Sequence, residues 1–120
     1  MMPMEKVEVL RACCCVTGMG GETTPEERAF LSKLAGQVGV GQASLDAMIS
    51  RGETDPQFYQ EQFKVLKVDP EQALAILIEA AKCDGSFSPE EMTTLQKFGA
   101  VLGMSEQEYE ELFDRLTRKP

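Results

Sequence analysis

The chain has 120 residues, 42% of them hydrophobic and 27% charged, an ordinary globular balance that supports one core without disulfides or a structural metal. Twenty acidic residues against 12 basic ones give a net charge of −8, which argues against nucleic-acid binding through clustered Lys and Arg. The acidity is uneven: residues 1–52 carry five basic and six acidic side chains and residues 53–120 carry seven and fourteen, so a cation or a basic partner surface is drawn to the second part.

No apolar run approaches the ~20 residues of a membrane span. Glu5 and Glu8 stand where a secretory signal wants positive charge and then an apolar stretch. The expectation is a cytoplasmic protein with no membrane insertion.

In chain order, the first predicted helix covers residues 4–17, a weak pattern carried by Val7, Leu10 and Cys14. A second opens at Thr24-Pro25-Glu26-Glu27, a capping residue followed by Pro at the first helical position and Glu two residues later. Its apolar stripe is Phe30, Leu31, Leu34 and Val38. Residues 42–51 form another weak segment with Leu45, Met48 and Ile49. Asp55-Pro56 opens a connecting helix with Phe58 or Tyr59, Phe63 and Leu66. Asp69-Pro70-Glu71-Gln72 repeats the capping box, followed by Leu74, Leu77, Ile78 and Ala81. Ser88-Pro89-Glu90-Glu91 repeats it again, followed by Leu95, Phe98 and Leu102. Ser105-Glu106-Gln107-Glu108 is the same box without Pro, followed by Tyr109, Leu112, Phe113 and Leu116. Gly39, Gly41, Gly52 and Gly103 sit where helix ends are wanted. No segment alternates with period two, so the fold is expected to be all-α, with about seven short helices in a single domain over 1–120.

Sliding the chain on itself by 64 residues aligns Gly21 with Gly85, Pro25 with Pro89, Glu26-Glu27 with Glu90-Glu91, Leu31 with Leu95, Lys33 with Lys97 and Gly39 with Gly103. Apolar positions follow: Leu34 with Phe98, Val38 with Leu102, Leu45 with Tyr109 and Met48 with Leu112. This reads as a pseudo-symmetric bundle, with repeat one over about 4–52, a connecting helix over about 53–68 and repeat two over about 69–118.

The turn "KCDGSFSPEE", residues 82–91, resembles the second half of an EF-hand loop. With Gly85 at the loop's sixth position, Asp84 and Glu91 fall on ligand positions, but Ala80 and Lys82 occupy the first and third. A full EF-hand is excluded. Two readings stand. In one the stretch is a helix connector: Gly85 leaves the preceding helix, Ser88 and Glu91 form the cap, and Phe87 staples onto Met92. In the other, Asp84 and Glu91 belong to a metal site.

Residues 80–112, with Cys83-Asp84-Gly85, Ser88-Pro89-Glu90-Glu91 and a Leu-rich helix closing in Leu102-Gly103, resemble the signature of the TerB-like family, the tellurite-resistance domain. The resemblance extends over essentially the whole chain. It implies an all-helical fold of two related halves and a small cytosolic bacterial domain with no known catalytic activity, tied to tellurite and other stress responses and working through protein partners. It also implies a divalent cation such as calcium held by acidic residues of the two repeat turns. By motif these are Asp84 and Glu91 in the second repeat and Glu27 in the first. This sequence departs from the pattern at Cys83, where the family has Ala, and at Gly20, where the first repeat should supply Asp; Glu22 is close by but out of register.

Cys13, Cys14 and Cys15 are consecutive, so on a helix their side chains point ~100° apart and cannot converge on one metal. Cys13 and Cys14 read as small hydrophobes. Cys15, on the more exposed side, is the candidate soft ligand or oxidation target of a redox or metalloid-handling protein. Cys83 falls on Met19 in the repeat register, which reads as core. With no His in the chain, Ser-His and Cys-His nucleophile pairs are impossible, and "TGMGGE" has no Lys to make a phosphate loop. The chain is expected to be a binding module rather than an enzyme, or else a purely structural interaction bundle.

Overall fold

The structure, a computed structural model, describes residues 3–18, 22–55, 69–83 and 87–117. Among these there are six α-helices and no strand: α1 (Pro3–Gly18), α2 (Pro25–Val38), α3 (Gln42–Thr54), α4 (Pro70–Lys82), α5 (Pro89–Val101) and α6 (Glu106–Thr117). The fold is all-α, with six helices among the described residues where the sequence predicts about seven. Of the connecting helix expected over about 53–68, residues 53 and 54 belong to the end of α3, and residues 56–68 lie outside the described residues. No described helix is long and apolar enough to cross a membrane.

Three of the predicted capping boxes are made. The Thr24 hydroxyl accepts from the Glu27 N–H at 3.2 Å while the Thr24 N–H donates to Glu27 Oε1 at 2.9 Å. Ser88 and Glu91 do the same at 3.0 and 2.8 Å, and Ser105 and Glu108 at 3.1 and 2.9 Å. The box expected at Asp69 is not made: no side-chain cap bond forms there, and its ψ of 118° departs from the 158–161° of Ser88 and Thr24. Asp55 ends α3 and pairs with Arg51 at 3.1 Å, and the helix it is expected to open lies outside the described residues.

The core is organised around α1. Val9, Leu10, Ala12, Cys13, Cys14, Cys15 and Val16 are all at most 3% exposed, and the helix packs against α2, α3, α4 and α5. Residues 12–18 are all buried, so this half of α1 has no polar face, which is why its periodicity reads as weak in the sequence. Gly52, expected to end a helix, instead lies inside α3. A Cβ there would stand 2.2 Å from the Cys14 carbonyl oxygen, and one on Gly18 would stand 2.6 Å from the Gly52 carbonyl carbon. These two glycines let α1 and α3 meet backbone to backbone. Gly39 and Gly103 do take the left-handed conformation past helix ends, with φ of 81° and 88°. Phe87 lies against Phe113 at 5.6 Å between ring centres, and Met92, expected to staple it, is 38% exposed.

The two halves match in position and in packing. Pro25 and Pro89 start α2 and α5, and Gln42 and Glu106 start α3 and α6, each pair 64 residues apart. Within the halves, α1, α2 and α3 contact one another, as do α4, α5 and α6. Between them, α1 meets α4, and the α1–α5 contact is answered by α2–α4. Exchanging the halves leaves this set unchanged, the mark of a pseudo-two-fold bundle.

Candidate functional site

Glu27 and Glu91 occupy the third position of α2 and α5, equivalent places in the two halves. Helix N-termini favour carboxylates at this point, since the first-turn N–H groups have no partners within the helix. Each Glu spends Oε1 on its own cap. The fold then turns the two side chains toward each other: they are 2% and 6% exposed and within hydrogen-bonding reach. Equivalent groups that touch must straddle the pseudo-two-fold axis, so the pair marks where that axis meets the N-terminal ends of α2 and α5.

Burial dominates the electrostatics. Desolvation of the charged form comes first, then the hydrogen bond to Glu91, and both push the Glu27 carboxyl up from the ordinary carboxylate range to about 8. The Thr24 backbone N–H opposes this and loses, with the Glu91 charge adding to the upward side. No N–H or O–H of the described residues reaches the buried Glu91 Oε2. Protonated, Glu27 offers the O–H donor that its hydrogen bond to Glu91 requires. The raised Glu27 carboxyl thus keeps its proton in a buried place beside Glu91. Oxygen-only donors of this kind suit a hard divalent cation such as Ca²⁺ or Mg²⁺, which would take the place of the shared proton.

Of the other expected ligands only Glu22 falls among the described residues. Asp84 lies outside the described residues, as do Gly85, Gly20 and Gly21. Glu22 sits in an exposed bend before α2. Among the described residues no group of three or more Asp, Glu, Cys or His side chains converges as a metal cage.

Cys15 is not the exposed thiol expected of it. It is 3% exposed because residues 12–18 of α1 are buried throughout, and burial pushes its thiol far up, with the neighbouring Cys14 adding to the effect. Cys14 is raised to about 12 and Cys13 well beyond its ordinary value, both chiefly by burial. Cys83, expected in the core, is the exposed cysteine. It follows the last residue of α4, with Sγ 3.2 Å from the Ala80 carbonyl.

Sequence reasoning missed Glu53. Its Oε2 accepts from the Thr23 N–H at 2.7 Å and from Arg28 at 3.4 Å, tying the entry of α2 to the end of α3. The corresponding position in the second half is Thr117, so the repeat register gave no signal for it. Comparison of the chain with protein-family models, with curated proteins and with solved structures finds no match in any of the three.

Proposed function

We propose that this chain is a non-enzymatic, TerB-like module of the stress-response, tellurite-resistance type, cytoplasmic and bacterial, which binds a divalent cation through Glu27 and Glu91 and acts through a protein partner. The observation that carries the reading is the meeting of these two carboxylates. They are 64 residues apart, each belongs to the turn singled out in its own half, and they share one buried position. Asp84 and Glu22 enter this proposal as outer ligands, recruited from the turns that precede α5 and α2. Exchanging a proton for a cation at the axis would change how firmly α2 and α5 are held together, and a partner would read that difference.

The test is an amide correlation spectrum recorded while Ca²⁺, Mg²⁺, Mn²⁺ and Zn²⁺ are added separately to the wild type and to Glu91→Gln. The expected result is saturable shifts confined to residues 22–28 and 83–92, absent in the variant. Shifts of equal size in Glu91→Gln, or none in the wild type, would overturn the cation site.

A second reading is favoured by the capping geometry. Both Oε1 atoms are already committed to backbone N–H groups, so the pair also serves as a proton-bridged clasp in a purely structural interaction bundle. On that reading no cation binds, and Glu91→Gln changes stability alone.

A further inference from the structure

α1, α2 and α4 enclose a groove of about 290 Å³ that is separate from the acid pair. Its walls are Val9, Leu34, Val38 and Ile76. Its rim carries Lys6, three residues before Val9 on α1, Gln37 on α2, and Gln72, four residues before Ile76 on α4. These spacings put each polar group on the same helix face as its apolar neighbour, at the groove's edge. Among the described residues Lys6 has no ion-pair partner and neither carboxamide makes a hydrogen bond.

The charge of this groove sets it apart. Three other surface cavities each carry at least one glutamate: Glu71, Glu108 and Glu111 in one, Glu90 in the next and Glu106 in the third. Here no described lining residue is acidic, and the one charged side chain is a lysine, on a chain of net charge −8. The pseudo-symmetry supplies a second contrast. The matching place between α4, α5 and α1 has Phe98 where this groove has Leu34, and Val101 where it has Gln37. Phe98 is fully buried, so the second half fills with an aromatic ring the space that the first half leaves open and rims with donors.

We infer that this groove binds a small amphipathic carboxylate, its apolar tail against Val9, Leu34, Val38 and Ile76 and its carboxylate at Lys6 between the two glutamine amides. A few donors around an apolar cleft are what orient a small ligand. A lysine ammonium and two carboxamide N–H groups match the acceptor-only carboxylate. At about 290 Å³ the groove sits at the lower end of the roughly 300–1,000 Å³ that small-molecule sites span, room for a medium-length chain and not for a long lipid.

The probe is sodium octanoate, titrated into the wild-type chain and followed by amide shifts, with 1-octanol as the neutral comparator. Octanoate is expected to give saturable shifts at low-millimolar concentration, centred on residues 6–10, 34–38 and 72–76. Lys6→Gln, an exposed change that leaves the core intact, is expected to weaken binding about tenfold, the loss of one charge-assisted hydrogen bond. Leu34→Phe copies the second half's own solution and is expected to abolish binding while the thermal midpoint holds. Binding of octanol as tight as that of octanoate, unchanged affinity in Lys6→Gln, or an absence of saturable shifts in the wild type would each overturn the inference. None of these results depends on whether a cation binds Glu27 and Glu91.

Discussion

Replacing Glu27 with glutamine should remove a pH dependence that the wild type carries. In the folded chain the Glu27 carboxyl is held protonated up to about 8, chiefly by burial. Once unfolded it releases its proton in the ordinary carboxylate range. Between those two limits the folded state binds a proton that the unfolded state lacks, so stability is greatest on the acid side. It falls as pH rises, and the loss is complete above about 8. One proton per molecule gives a slope of about 1.4 kcal/mol per pH unit, so the step from pH 6.5 to 8 removes about 2 kcal/mol. For a chain of this size that is a fall in thermal midpoint of roughly 8 °C. In Glu27→Gln the amide oxygen still accepts from the Thr24 N–H, and the amide NH₂ gives Glu91 Oε2 a permanent donor. The variant should therefore match the wild type near pH 6 and exceed it by about 2 kcal/mol at pH 8. The assay is thermal or urea unfolding by far-UV circular dichroism from pH 6 to 9, with chelator present to keep cations out. A difference between the two proteins that stays constant across that range would refute the shared-proton account.

Gly52→Ala drives a methyl group into the Cys14 carbonyl and should destabilise by about 3 kcal/mol, the upper part of the overpacking range. Gly36→Ala, on exposed helix with open space around it, should stabilise by about 0.5–1 kcal/mol. Urea midpoints of the two variants, moving in opposite directions, check both. Native thiol titration at pH 8 should find one reactive group, Cys83, and none in Cys83→Ser; a second fast thiol would return Cys15 to consideration. Ser88→Ala should cost about 1 kcal/mol through its lost cap. Asp69→Ala, where no side-chain cap bond exists, should stay within about 0.5 kcal/mol, as measured by thermal unfolding.

What could be read from the sequence was whatever local chemistry decides. Thr24, Ser88 and Ser105 start helices because cap and Glu lie within one turn of each other, and the structure makes all three boxes. Glu27 and Glu91 were each identifiable within their own turns. That they would touch depends on how α2 and α5 are carried on α1 and α4, which no local pattern encodes. The failures share a cause. Gly52 and Cys15 were judged by what a lone helix would do with them, and the crossing of α1 and α3 overrides that judgement. Glu22, singled out for its nearness in sequence, is exposed in the bend before α2. The groove at Lys6 was visible only as a mismatch in the repeat, Leu34 against Phe98, and its meaning required knowing that Phe98 is the one buried.

The place of α1 at the centre has a consequence for synthesis on the ribosome. The most thoroughly covered helix emerges before the other described helices, while two of the helices that cover it, α4 and α5, follow only after α2, α3 and the segment beyond them. Until they arrive, an unshielded face of α1 and the inner faces of α2 and α3 have only each other. The two halves, alike as they are, are thus not independent folding units, and a nascent chain paused midway presents its three consecutive thiols and their apolar neighbours to whatever chaperone is near.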